Sequence, residues 1–163
     1  MTRPIFYDPR LPAELRPPDA APLPDDDRPF PAGDDPVLLL DATDEPAAPE
    51  KIMTGLERLF RIFARVRAAA EPATLVLAIR EAGFVGDAEP YGSAFAVAAD
   101  SLVRSMAMEC GRKQIRVHAV LLDADPQPET WHELVRYLAG PAAGQSGGRF
   151  WLDPAASLGR MVP

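Results

Sequence analysis

The 163-residue chain carries 17 Lys and Arg against 24 Asp and Glu, giving a net charge of -7 and a pI near 4.8. That sign argues against nucleic acid or an anionic membrane as partner, no apolar run is long enough to span a bilayer, and the N-terminus MTRPIFYDPR lacks the basic-then-apolar layout of a signal peptide. A single cysteine, Cys110, excludes an internal disulfide framework and suits a reducing cytoplasm.

Residues 1–36 hold ten of the nineteen prolines and eight acids against four Arg, with no helical or strand period. Such a segment is expected to be extended and largely polyproline-like. Ile5, Phe6, Tyr7, Leu11, Leu15 and Phe30 are apolar anchors that a purely solvating tail does not need. Two readings therefore stand: a disordered leader, or an arm that docks on the body or on a partner subunit. The triplet Asp25-Asp26-Asp27 reads as a solvated run rather than a cation site.

The body begins at Val37–Asp41, a short apolar run that reads as a buried strand. A helix is expected from Pro49 to Ala70, with Pro49 in its first turn. Ile52, Leu56, Leu59, Phe63 and Val66 recur at three- and four-residue spacing, and Met53 and Phe60 widen that stripe. Arg58, Arg61 and Arg65 fall on the opposite, solvated side, where Glu57 and Arg61 can pair across one turn. Leu75–Ile79 is a second apolar strand, and Arg80 to Pro90 a loop containing Gly83 and Gly86.

From Gly92 to Cys110 the apolar residues fall on two stripes, one of Phe95, Ala99, Leu102 and Met106, the other of Ala96, Val103 and Ala107. A helix apolar on two sides is expected to be buried on two sides. Its first half is small-residue-rich, so another backbone or helix can approach closely. After Gly111, Ile115–Leu122 is a continuous apolar run of the kind found in parallel strands covered on both faces. Asp125-Pro126-Gln127-Pro128 launches a shorter helix through Ala139, with Trp131, Leu134, Val135 and Leu138 inward and Gly140-Pro141 as the stop. Ser146-Gly147-Gly148 is a bend before a last strand at Arg149–Asp153, not a phosphate cradle, since no helix follows it.

Strand and helix thus alternate, which predicts a parallel sheet with right-handed crossovers and helices on both faces. The expected fold is α/β: a partial Rossmann-like, three-layer domain over residues 37–158 with a four-stranded sheet. A Pro-rich acidic arm (1–36) precedes it and a short tail (159–163) follows it.

The stretch Tyr91 to Asp123 resembles the short-chain dehydrogenase/reductase family. Arg104-Ser105-Met106-Ala107-Met108-Glu109 is similar to the family's Arg-Ser-Leu-Ala-x-Glu segment, and Ile115-Arg116-Val117-His118-Ala119-Val120 to its Ile-Arg-Val-Asn-Ala-Val strand. Leu40-Asp41-Ala42-Thr43 stands where the family has an Asn-Asn-Ala-Gly turn, and Thr54-Gly55-Leu56 at its Asn-Leu pair. Trp131–Leu138 and the run from Gly144-Gln145 to Trp151-Leu152-Asp153 are similar to its last helix and closing strand.

The resemblance implies a nicotinamide dinucleotide held by a Gly-rich turn after a first strand. Here the chain before Val37 has one glycine, Gly33, and the first three strands are expected to be missing, so no cofactor is expected. It also implies a proton-transfer tetrad of Asn, Ser, Tyr and Lys. Those positions fall on Gly55, Arg80, Gly92 and Ala96. Tyr91 lies one residue from the Tyr position, but Phe95 is four further on, so a slip restores a phenol without its ammonium. No catalytic or cofactor-binding residue is assigned.

Neither His118 nor His132 has Cys or His at ligand spacing, so no metal site is expected; His118 reads as a hydrogen-bonded core or interface residue. Cys110 reads as a small packing residue. In the family the two long helices pair with their copies in a second subunit, and the last strand and its helix commonly form another contact. The interface candidates are accordingly Leu56, Phe60, Phe63, Phe95, Ala99, Leu102, Met106 and Trp151.

The reading is a non-catalytic subunit that pairs with an active family member, one acting on acyl-thioester substrates being the type considered, and stabilises or regulates it. The arm would cover the exposed edge of the Val37 strand or embrace the partner. Two alternatives are a homodimeric scaffold using the same helices, and an oxidoreductase component whose site is completed across the interface by Arg80, Tyr91 or Asp41.

Overall fold

A computed structural model describes residues 3–24, 35–69, 72–86, 88–140 and 146–152. Asp25-Asp26-Asp27 and the 159–163 tail lie outside the described residues. One parallel sheet forms from β1 (Ile5–Tyr7), β2 (Ala21–Pro22), β3 (Val37–Ala42), β4 (Ala73–Arg80), β5 (Ile115–Leu122) and β6 (Arg149–Leu152), in the order β2-β1-β3-β4-β5-β6. The helices are α1 (Pro49–Ala69), α2 (Ala82–Val85), α3 (Pro90–Cys110) and α4 (Pro128–Ala139).

The four expected strands are β3 to β6, and the sheet has six because the arm contributes two. The expectation that no strand precedes Val37 is therefore corrected. Ile5–Tyr7 spans three residues, too few for a period, and what makes it a strand is the edge of β3. Backbone groups on a buried edge need partners. Val37 N donates to Pro4 O at 2.9 Å, Asp8 N to Leu39 O at 2.8 Å, and Leu23 N to Tyr7 O at 2.8 Å. Arg3 ties the same segment down, its guanidinium donating to Thr74 Oγ1 at 2.9 Å and pairing with Asp35.

β3, β4 and β5 are buried along almost their whole length, which is why they read as unbroken apolar runs. One face, with Leu38, Leu40, Leu75, Leu77, Val117 and Ala119, packs on α1 and α3 through Leu59, Phe63, Phe95, Ala99, Val103 and Met106. The other, with Val37, Leu39, Val76, Ala78 and Val120, packs on Trp131, Val135 and Leu138 of α4 and on Leu11 and Leu15 of the arm. Trp131 Nε1 donates to Leu15 O at 2.7 Å. Each fully buried leucine is worth about 1.5–3 kcal/mol over an exposed one, so two of them fasten the arm to the second core.

Several helical details differ from expectation. Met53 and Phe60 were expected to widen the buried stripe of α1; they are 67% and 58% exposed, because α1 meets the sheet along a narrower arc through Gly55, Leu59, Ile62, Phe63 and Val66. Arg58, expected on the solvated side, instead reaches the end of the sheet, whereas the expected Glu57–Arg61 pair forms at 2.6 Å. The two stripes of α3 merge into one wide arc: Phe95, Ala96, Ala99, Asp100, Val103, Met106 and Cys110 are buried, while Leu102 and Ala107 are half-buried. Val97 and Met108 face outward, 47% and 80% exposed. The Arg80–Pro90 loop contains α2, closed at Gly86 in the left-handed conformation at φ 87°, where glycine carries no Cβ penalty.

Candidate functional site

In open parallel sheets ligands bind outside the carboxyl ends of the strands, at the point where the strand order reverses. That point lies here between β1 and β3. The residue following β1 is Asp8, 4% exposed, whose carboxylate pairs with the Arg58 guanidinium. Asp8 Oδ1 accepts from Arg10 N at 3.0 Å, and Arg58 Nη2 donates to Asp41 O. An internal ion pair therefore fills the junction.

A pyrophosphate needs close backbone approach and a helix N-terminus. The described residues offer Asp8-Pro9-Arg10 and a single 3-10 turn at Ala13–Leu15, with a buried carboxylate in place of amide donors. They do not fit that group. Asp41, also buried, accepts from Thr43 N and Oγ1 at 3.2 and 2.7 Å; burial raises its pKa above the usual carboxylate range, against the pull of those two bonds.

The four positions implied for proton transfer are packing contacts or something else altogether. A Cβ on Gly55 would stand 2.8 Å from Phe95 Cε2, and a Cβ on Gly83 would stand 2.5 Å from the Ala96 Cβ. Gly92 is buried, and a Cβ there would meet Ala88 Cβ at 3.5 Å and Glu45 Cγ at 3.7 Å. Two of the four positions, Gly55 and Ala96, are thus small because another element sits against them, and neither offers a titratable group. Tyr91 is 42% exposed on the first turn of α3 and makes no hydrogen bond among the described residues.

Arg80 is different. It ends β4, half-buried, with Nη1 3.3 Å from Asp123 O and 3.4 Å from Ala124 O. It lines a cleft of ≈ 550 Å³ together with Glu45, Glu81, Ala82, Val85, Leu122, Asp123 and Ala124. A neighbouring cleft of ≈ 460 Å³ includes Arg10, Asp44, Lys51 and Thr54 and shares Glu45 with the first. Both open along the carboxyl ends of the strands.

The sequence gives little sign of two buried polar contacts. One is Asp8–Arg58. The other is Asp100 on α3, 2% exposed, which receives Arg149 Nε at 3.0 Å and a second bond from Nη2, with Arg104 at 3.3 Å. The available signal was an acid on the apolar arc of α3.

His118, expected to be hydrogen-bonded, is buried on β5 with neither ring nitrogen bonded among the described residues. Its ring packs edge-on to Phe150 at 5.7 Å, and burial lowers its pKa to about 4 with Arg116 adding to the shift. Cys110 is buried and burial pushes its thiol up, which disfavours the reactive thiolate. Among the described residues no three or more His, Cys, Asp or Glu are grouped to hold a metal, and no helix is long and apolar enough to cross a membrane. Of the interface candidates, Phe63, Phe95, Ala99 and Met106 are buried within the chain, Leu56 and Leu102 are half-buried, and Phe60 and Trp151 are exposed.

No family description and no curated protein matches the chain. Solved structures do. A 4-hydroxyisoleucine dehydrogenase complexed with NADH and succinate shares 19% identity at a TM-score of 0.59, over 73% of this chain and 67% of that one. A short chain dehydrogenase from Mycobacterium smegmatis shares 15% at 0.59, over 72% and 58%. An oxidoreductase of the short-chain dehydrogenase/reductase family from Burkholderia thailandensis shares 16% at 0.60, over 76% and 64%. The chain has the short-chain dehydrogenase fold and spans 58% to 67% of the length of these three.

Proposed function

We propose that this chain is a non-catalytic subunit of the short-chain dehydrogenase fold, associating in the cytoplasm with a catalytically active member of that family and stabilising or regulating it. The observation that carries the reading is the contact of Gly55 with Phe95. A position that would hold a relay group is given over to packing an aromatic ring between α1 and α3. The Asp8–Arg58 pair supports it from the cofactor side, since the guanidinium at the strand-order junction is already engaged by Asp8 and by the Asp41 carbonyl.

Association is supported by the outer faces of α1 and α3, where Met53, Phe60, Val97 and Met108 are exposed. Burying such side chains against a partner helix would remove apolar surface from water. The partner we have in mind is a dehydrogenase or ketoreductase, including one acting on acyl-thioesters.

The test is to assay an active dehydrogenase encoded beside this chain, with and without it. The proposal expects a longer half-life or altered kcat of the partner, and no turnover of NADH or NADPH by this chain alone. Turnover by the isolated chain that Tyr91→Phe abolishes would overturn the non-catalytic reading. An Arg80→Ala variant that assembles normally but removes the partner's turnover would instead favour a site completed across the interface. A chain that pairs only with itself would favour the homodimeric scaffold.

A further inference from the structure

Among the described residues, the cleft at the ends of β4 and β5 is lined by the Arg80 guanidinium and the carboxylates of Glu45, Glu81 and Asp123. Arg80 stands at the last residue of β4, a strand held on both sides by β3 and β5, so its backbone is fixed. Its Nη1 makes long bonds to two carbonyls, and Nη2 and Nε make none among the described residues. A guanidinium with free donors is suited to receive a carboxylate. Glu45, Glu81 and Asp123 line the same cleft, and Arg80 is the one cation lining it among the described residues.

The apolar part of the cleft is supplied by Ala82 and Val85 of α2, with Val85 53% exposed. That wall is fixed from behind. Gly83 leaves α2 in direct contact with Ala96 of α3, and Phe84 packs edge-on to Trp151 at 6.4 Å. Arg149 lies over the Phe84 ring at 5.2 Å while bound to the buried Asp100. A four-residue helix would have little stability alone; these contacts hold it as one side of a cleft.

The charge pattern selects a ligand class. A simple anion meets three carboxylates, and a simple cation meets Arg80. A small molecule carrying both charges satisfies both, and the ≈ 550 Å³ volume accommodates one with an apolar branch, being within the range of ligand sites. We infer that this cleft binds a free aliphatic α-amino acid, its carboxylate on Arg80, its ammonium on the rim between Glu45 and Asp123, and its side chain against Ala82 and Val85. The inference goes beyond the subunit reading and does not depend on it.

The experiment is calorimetric titration of the full chain with L-leucine, L-isoleucine and L-valine, then with N-acetyl-L-leucine, which lacks the cation, and L-leucinamide, which lacks the anion. At least one amino acid should bind saturably, and each blocked analogue should bind at least about tenfold more weakly, the effect of losing a charge-assisted contact. Arg80→Gln, with an unchanged circular dichroism spectrum, should weaken binding by about tenfold or more, while Arg112→Gln, remote from the cleft, should not. Should Arg80→Gln fail to fold, Glu45→Gln at an exposed position gives the second reading, with the amino acid weakened and N-acetyl-L-leucine not. Failure of all three amino acids to bind overturns the inference. So do analogues within about twofold of the amino acid, or a folded Arg80→Gln that binds undiminished.

Discussion

Phe95 and Gly55 are matched across the α1–α3 contact: the ring of Phe95 is 1% exposed, and its Cε2 would stand 2.8 Å from a Cβ at residue 55. The absence of a side chain on α1 is thus what seats an aromatic ring on α3. Small-to-large changes in a packed core cost about 1–3 kcal/mol. Gly55→Asn should therefore destabilise the chain by about that amount in chemical denaturation, and adding Phe95→Ala should recover part of the loss. Independent, additive losses would show that the two positions are not in contact.

The Asp8–Arg58 pair joins the arm to α1, with side chains 5% and 18% exposed. Removing one partner of a buried pair strands the other charge and costs about 3–5 kcal/mol. Asp8→Ala should destabilise the fold on that scale, and amide exchange should rise first in residues 3–24. Replacing both by leucine should cost much less. Equal effects of the single and double replacements would mean the pair is solvated.

Much of this fold was legible in the chain. β3, β4 and β5 are apolar without interruption because both faces are covered, and Pro49, Pro90 and Pro128 stand at the starts of three helices, where a missing N–H costs nothing. What was not legible depends on contacts made at a distance. Ile5–Tyr7 becomes a strand only because β3 has an open edge, and Arg58 leaves the polar side of α1 only because Asp8 is brought to it. The Arg80 cleft was foreshadowed by one residue alone. Glu45, Glu81 and Asp123 lie in three separate connections that only the sheet gathers.

His118 makes stability depend on pH. Its folded pKa is lowered to about 4 from 6.5, chiefly by burial, so the unfolded chain takes up the proton first as pH falls. The neutral imidazole's contribution is complete above about pH 6.5 and declines as pH drops toward 4, by on the order of 3 kcal/mol. Asp41 works the other way, since burial raises its carboxyl and its ionisation disfavours the fold as pH rises past its unfolded value. His118→Leu should flatten the dependence between pH 4 and 6.5; an unchanged slope would show that the imidazole is solvated.

Leu11 and Leu15 are fully buried by the arm against α4. Leu15→Ala should cost about 2–5 kcal/mol in thermal or chemical unfolding. Loosening the arm also uncovers the edge of β3, so the variant should aggregate faster on warming than an equally destabilised Val103→Ala. Equal aggregation rates would mean the arm does not protect that edge.

Phe60 is 58% exposed on α1, so Phe60→Asp should leave the melting temperature of the isolated chain nearly unchanged, since surface substitutions usually fall within about 0.5 kcal/mol. In the proposed assembly it should weaken association by about tenfold or more, as loss of a buried aromatic anchor does. A large loss of stability in the isolated chain would place Phe60 in the chain's own core.

The most direct test of the proposed subunit role is the mass, by light scattering, of this chain alone and after co-expression with an active dehydrogenase encoded beside it. The account predicts a stable hetero-complex that Phe60→Asp splits. A chain that forms a well-behaved homodimer and elutes apart from that dehydrogenase at every concentration would contradict it.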